Sequence, residues 1–175
     1  MKIAIIYSSL TGNTKMVAEA IAAVLPGSKL YSVDEQIDLT EYDCVAVGFW
    51  VDRGTADAKA ADYLKQLHNK EVALFATLGA DPKSEHAKQS LENAAALLAD
   101  SNKLLGTFIC QGKVDPKLIA KMAKMFPAGH PHGVNEERRA RHAAASTHPD
   151  TADLKAAQEK FLELLGNGAK AGDEV

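Results

Sequence analysis

The chain alternates short apolar runs with longer stretches whose apolar residues recur at helical spacing. "KIAIIYSS" (residues 2–9) is apolar, β-branched and closed by a turn signal, the pattern of a strand buried on both faces. Just after it, "TKMVAEAIAAVL" (14–25) sets Met16, Val17, Ala20, Ile21, Val24 and Leu25 at helical spacing, and Pro26-Gly27 stops the helix. Further strands are predicted over 28–35, 42–51, 70–80 and 103–114, the last interrupted by Gly106. Helices are predicted over 55–68 and 84–100, the second capped by Ser84. Asp115-Pro116 opens another helix, to 126, by the cap-then-proline pattern. A loop "PAGHPHGV", a polar stretch "NEERRARHAAA" and a terminal helix to residue 166 complete the order.

Strands apolar on both faces and alternating with helices imply an α/β fold, a parallel sheet between helical layers with right-handed crossovers. No repeat, low-complexity linker or second core is visible, so residues 1–166 are expected to form one domain, with 126–150 as an inserted lid or docking segment and 167–175 as a flexible tail. In open sheets of this kind a ligand sits beyond the carboxyl ends of the strands, where strand order reverses. The loops that matter are therefore 8–14, 49–55, 77–83 and 111–115.

Composition narrows the function classes. A formal charge of -3 and a pI near 6.1 give no general basic bias, so nucleic acid is not an expected partner. No stretch approaches the ~20 apolar residues of a membrane span, and "MKIAIIYSS" is too short for a signal-peptide core. Cys44 and Cys110 each lie inside an apolar run and form no Cys-x-x-Cys, as expected of reduced core thiols in a cytoplasmic protein.

The first loop crowds Ser8, Ser9, Thr11 and Thr14 around Gly12 at a strand-to-helix turn. Free N–H groups and the positive end of a helix dipole suit a phosphate there, and the hydroxyls add donors. A P-loop is excluded because only Gly12 of its glycines is present and Lys15 is out of place. A dinucleotide fingerprint is excluded because two of its glycines are missing. One terminal phosphate remains, against the alternative of hydroxyls that only satisfy their own helix cap.

Ser9-Leu10-Thr11-Gly12-Asn13-Thr14 resembles the [ST]-x-T-G-x-T phosphate loop of flavodoxins. The resemblance extends along most of the chain in element order. It implies a three-layer α/β/α sandwich with a five-stranded parallel sheet in order 2-1-3-4-5, and FMN as cofactor. Ser9, Thr11, Asn13 and Thr14 would hold the phosphate, with Ser8, Leu10 and Gly12 completing the loop. In "GFWVDRGT" (48–55), Trp50 would stack on the isoalloxazine, flanked by Phe49, Val51, Asp52 and Gly54. In "TLGADP" (77–82), Thr77, Leu78, Gly79 and Ala80 would meet the pyrimidine edge, mainly through backbone groups. Arg53 would neutralise reduced flavin, steer an acidic partner, or simply be solvated.

Two departures from the family pattern stand out. The third loop carries no aromatic to cover the outer ring face, and Trp50 is followed by Val51-Asp52 where many flavodoxins have a peptide-flipping glycine. Both point away from a pure one-electron carrier. Residues 126–150 hold His130, His132, His142 and His148 and a basic cluster of Arg138, Arg139 and Arg141. Pro131 within His-x-His, and the lack of close acidic or thiol ligands, argue against a metal site. Phe126 or His132 is a candidate cover for the bare ring face. The pattern "CQGKVDPKLIAKM…MFPAGHPH" resembles a subgroup of flavodoxin-family proteins of anaerobic bacteria, including ones associated with bilirubin reductase.

The expected function is FMN-based electron transfer between redox partner proteins, a donor and an acceptor; no catalytic side chain is identified, and a monomer is the simplest state. The alternative is an FMN-dependent NAD(P)H:acceptor reductase. A receiver-like regulatory module fits poorly, because Tyr7-Ser8-Ser9 offers no carboxylate after the first strand. A serine hydrolase is excluded by the lack of a G-x-S-x-G elbow.

Overall fold

The computed structural model describes residues 1–126, 129–131 and 135–169. In chain order the elements are β1 (Ile3–Tyr7), α1 (Asn13–Val24), β2 (Lys29–Ser32), β3 (Cys44–Asp52), β4 (Thr55–Ala56), α2 (Ala58–Gln66), β5 (Glu71–Leu78), α3 (Glu85–Ala95), β6 (Lys103–Gln111), α4 (Pro116–Met125), α5 (Glu136–Ala145) and α6 (Thr151–Ala169). Five strands form a parallel sheet in order β2-β1-β3-β5-β6, the expected 2-1-3-4-5 order with one added short strand.

The addition is β4, which pairs antiparallel with the end of β3 through Val51↔Ala56 and Asp52↔Thr55. The segment expected to be a free loop before a helix at 55 is therefore a tight hairpin, and α2 starts later, behind an Asp57 cap that accepts from the Ala60 N–H. Arg53 and Gly54 both have positive φ, 51° and 78°, which is the two-residue turn whose twist matches paired strands. Arg53 is thus a β-carbon-bearing residue held in the left-handed region, at a real conformational cost.

Both faces of the sheet are buried, as the apolar strands require. Ile3 and Ile5 of β1 join Val17, Ile21, Phe75, Phe161 and Leu165 on the side of α1 and α6. Ala4 and Ile6 join Val45, Val47, Phe49, Leu64 and Leu74 on the side of α2 and α3. Gly48 is required in β3, because a β-carbon there would meet the Phe75 ring at 2.1 Å. At Gly106 the register of β6 slips against Val72/Ala73, and a β-carbon would meet Leu164 of α6 at 2.7 Å. The interruption visible in the sequence is therefore a bulge that lets α6 approach.

The polar stretch after residue 135 is the helix α5, capped by Asn135, which accepts from the Arg138 N–H. α6 runs to Ala169, beyond the expected end at 166. Of the expected tail, residues 170–175 lie outside the described residues, as does His132.

Candidate functional site

Strand order reverses between β1 and β3, so their carboxyl ends open a crevice that no connection crosses. An open cleft of about 250 Å³ lies there, lined by Ser9, Leu10, Thr11, Asn13, Thr14, Trp50, Val51, Asp52, Thr77, Leu78 and Gly79, with Gly112, Lys113, Val114, Asp115 and Leu118 closing one side. Three loops that are far apart in sequence thus meet at one cleft.

The first loop keeps its helix end open. Gly12, φ 97°, is the cap residue of α1 and supplies no side-chain bond to the first turn. The N–H groups of Asn13, Thr14 and Lys15 have no acceptor among the described residues, and the first intrahelical bond is Met16 N–H to Gly12 C=O at 3.0 Å. With the dipole of a 12-residue helix behind them, these groups form an anion cradle at one end of the cleft.

Most of the loop's polar side chains are structural. Ser9 Oγ accepts from the Gly12 N–H at 3.1 Å, which leaves its own O–H free to donate. Thr14 is buried and shares a hydrogen bond with the Thr77 hydroxyl at 2.9 Å, tying the first loop to the third. Asn13 Nδ2 donates to the Lys113 carbonyl at 2.8 Å and crosses to the loop after β6. Gly112 makes that crossing possible, since a β-carbon would lie 2.7 Å from Asn13 Nδ2. Thr11 is exposed, lines the cleft and has no hydrogen bond among the described residues, so its hydroxyl is available to an occupant.

Ser8 does not face the cleft. Its hydroxyl donates to Asp57 Oδ2 at 2.6 Å in a buried pair, and its N–H is taken by the Gly48 carbonyl. Asp57 also accepts from the Trp50 N–H at 3.3 Å, and its own N–H donates back to the Trp50 carbonyl at 3.1 Å. Burial pushes the Asp57 carboxyl above the ordinary carboxylate range, opposed by the Ser8 hydroxyl and the N–H groups of Ala60 and Trp50. Asp57 thus fastens the end of β1 to the backbone of Trp50. Sequence reasoning missed it, although an aspartate before "AKAADYL" carried the signal of a helix cap.

Trp50 is half-buried on the cleft wall, opposite Thr77 in register. Phe49, on the other face of β3, is wholly inside the α2/α3 core and presents no side chain to the cleft. Val51 and Asp52 line it from within the hairpin, while Gly54 belongs to the turn and gives its carbonyl to Asn93 Nδ2. Thr77 and Leu78 belong to β5, so Gly79 and Ala80 are the backbone that extends past the strand end. The Gly79 carbonyl is held by Gln111 Nε2 at 3.2 Å.

A flavodoxin domain model matches residues 4–162 of this sequence. The chain belongs to the flavodoxin family. It is 35% identical over 159 residues to the flavodoxin-like domain-containing protein BilS of Clostridioides difficile (strain CD3), covering 88% of this chain and 90% of that protein. A BilS protein of Clostridium symbiosum (strain WAL-14163) is 32% identical over 184 residues, covering 94% and 96%. The fold is shared with a flavoprotein from Lactobacillus acidophilus, solved in complex with FMN, at TM-score 0.51 and 22% identity over 62% of this chain and 92% of that one.

Within this flavodoxin, the side that lacks a third-loop aromatic is lined by aliphatic side chains instead. Val114 sits so close to Gly79 that a β-carbon there would meet its Cγ2 at 2.6 Å, and exposed Leu118 of α4 lies beyond it. Phe126 does not line the cleft; its ring packs on His130, centroids 4.8 Å apart. A second cavity adjoins the first through the shared Gly79 and Val114, and is otherwise lined by Ala80, Met122, Arg138, Arg141 and His142. Partial burial, then the two guanidiniums, push the His142 imidazole below its ordinary value.

Among the described residues, no three histidines of the histidine-rich segment come together. His148 instead joins Asp150 and Asp153, with ligand atoms all within 4.8 Å. Each has an internal role: His148 Nδ1 bonds Asp153 at 2.5 Å, and Asp150 and Asp153 exchange N–H bonds at the start of α6. The His148 carbonyl accepts from the Lys113 N–H at 2.7 Å, so this cluster anchors the loop that closes the cleft. Cys44 and Cys110 are both buried and unpaired, and burial pushes each thiol up to about 12.

Proposed function

We propose that this flavodoxin binds FMN in the cleft and carries electrons between redox partner proteins. The observation that carries the reading is that an uncapped helix N-terminus and Trp50 line one and the same cleft. The residues present fit the cofactor. The N–H groups of Asn13, Thr14 and Lys15 and the hydroxyls of Ser9 and Thr11 suit a terminal phosphate held by neutral donors. Trp50 offers a flat polarisable face to a ring, and Gly79 and Ala80 offer backbone groups to its polar edge. FMN, when bound, supplies the one- and two-electron chemistry.

The chain's own residues bind, orient and restrict access. The Thr14–Thr77 and Asn13–Lys113 bonds hold three loops in one register, so the phosphate and ring subsites keep a constant separation. Asp57 fixes the backbone of Trp50 from behind. Val114 and Leu118 give one side of the cleft an aliphatic wall. The reading sets the protein in a reducing cytoplasm, with which two unpaired buried cysteines are consistent.

The visible spectrum of the purified protein, before and after addition of FMN, tests the reading. Flavin absorbance that stays with the protein through desalting is the expected result. A protein that remains colourless after FMN addition would exclude it.

A second reading, an NAD(P)H:acceptor reductase, is favoured by one observation. The cavity holding Arg138, Arg141 and His142 opens beside the third loop, where a phosphate-bearing or carboxylate-bearing reactant would lie next to the ring. Direct oxidation of NAD(P)H by the FMN-loaded protein in the presence of a quinone would support the reductase; its absence leaves the carrier.

A further inference from the structure

Charge along the chain is segregated. Residues 113–141 contain four lysines and three arginines against one aspartate and two glutamates, so this segment is +4 while the remainder is -7. The segment contains α4, which differs from the other long helices: none of its residues is buried. Its apolar side chains are nonetheless large. Leu118 is 46% exposed and Met125 59%, and across the cleft mouth Leu10 of the first loop is 70% exposed.

Lys117, Lys121 and Lys124 follow one another at spacings of four and three, one face of a helix. Lys117 borders two shallow depressions, one shared with Leu10, Thr11, Lys113 and the helix-capping Asp115, the other with Lys121, Lys124 and Met125. The surface therefore runs without a break from the phosphate loop across α4, apolar side chains among lysines. None of these lysines has an acidic partner in an ion pair among the described residues.

We propose that α4 and the loop before it are the docking surface for the acidic face of a redox partner protein. This rests on the reading that the cleft holds FMN, because the surface matters for electron transfer only if the ring lies at its edge. A macromolecule suits the surface, because its lysines and apolar side chains are spread over both the loop and the ~15 Å of a ten-residue helix, in shallow depressions rather than one pocket. A nucleic acid is disfavoured by the exposed leucines and methionine, which match the apolar centre and polar rim of a protein interface. The charge separation would also steer an acidic partner toward this end of the sheet and turn other faces away.

A plant-type ferredoxin of strongly negative charge serves as the probe, with basic cytochrome c as its opposite. Two measurements are made on the full chain. Carbodiimide cross-linking, which joins lysines to carboxylates, is run on both FMN-free and FMN-loaded protein and mapped by mass spectrometry. Reduction of bound FMN by reduced ferredoxin is timed as salt is raised. Cross-links concentrated at Lys117, Lys121 and Lys124, with a rate that falls roughly tenfold or more between low and physiological salt, are expected. The variant Lys117→Glu/Lys121→Glu/Lys124→Glu should lose both effects while retaining FMN.

Cross-links scattered over the other lysines, or a faster salt-sensitive reaction with cytochrome c, would overturn the proposal. So would a salt-stable dimer of the protein alone that the triple variant dissolves, since a second copy would then occupy the surface. Tighter retention by a DNA oligomer than by ferredoxin would overturn it in favour of nucleic acid. Because the cross-linking needs no flavin, a protein that docks ferredoxin but fails to take up FMN would sink the cofactor reading alone.

Discussion

The Ser8 hydroxyl donates to Asp57 Oδ2 at 2.6 Å, and both side chains are almost fully buried. A serine just ahead of the first strand-to-helix turn thus serves the Trp50 wall of the cleft, because the carboxylate it meets also accepts from the Trp50 N–H.

Removing that carboxylate tests its role. Asp57→Ala leaves the Ser8 hydroxyl and the Trp50 and Ala60 N–H groups without their acceptor, and should cost about 1–3 kcal/mol in urea denaturation. Asp57→Asn keeps an acceptor and should cost less. The pH dependence has a definite sign. The carboxyl is raised in the folded state, so the folded protein holds the proton more tightly, and stability falls as pH rises from the ordinary carboxylate value of about 3.9 through the raised folded value. Asp57→Asn should flatten that limb of the stability curve.

Trp50→Ala should leave the fold intact, since the side chain lies on the cleft wall rather than in either core. Loss of one ring face should weaken FMN binding by about tenfold or more, or about 1.4 kcal/mol. Fluorescence titration of the apoprotein with FMN measures it; unchanged affinity would displace the ring from Trp50.

Gly79 and Val114 provide a paired test. A β-carbon at 79 would lie 2.6 Å from Val114 Cγ2, so Gly79→Ala should push the loop after β6 outward, at ~1 kcal/mol or more in stability and with weaker FMN binding. Val114→Ala removes the obstructing methyl groups. The double variant should recover much of the stability lost by Gly79→Ala, and a double-mutant cycle with zero coupling would mean that the two do not press on each other.

His148 predicts a pH effect of its own. Its hydrogen bond to Asp153 raises the imidazole above its ordinary value, against a smaller opposing effect of burial. The stability this contributes is present in full below about pH 6.5 and is lost as pH rises through the raised folded value. Urea midpoints at pH 6 and pH 8.5 should differ in that direction, and Asp153→Asn should remove the difference.

The family was legible in local sequence, and the strand order followed from that resemblance. The unbroken apolar runs read as strands covered on both faces, and "SLTGNT" at the first strand-to-helix turn carried the resemblance to the family. Ser84 and Asp115-Pro116 marked two helix starts correctly, because a cap is set by the residues beside it. The hairpin β3–β4 escaped, although Arg53-Gly54 occupies its turn. The strongest short hairpin signals place Asn or Asp before Gly, and an arginine at positive φ gives no such cue.

What each polar residue of the site does was decided by tertiary structure. Ser8 and Thr14 look alike in the sequence, yet one hydroxyl is turned into the Asp57 pair and the other to Thr77, 63 positions away. Phe49 and Trp50 are neighbours, and the alternation of a strand sends one into the core and leaves the other at the cleft. Lys113, Val114 and Leu118 close the cleft only because Asn13 and His148 hold the loop after β6 across the sheet end. By itself the sequence determined the α/β layers and the place of a hydroxyl-rich strand-to-helix turn, since these follow from hydrophobic period and local turn chemistry, while the strand order came only with the resemblance to a family. The partners of the hydroxyls and the aliphatic wall depend on contacts between segments about 35 to 100 residues apart, which no local pattern encodes.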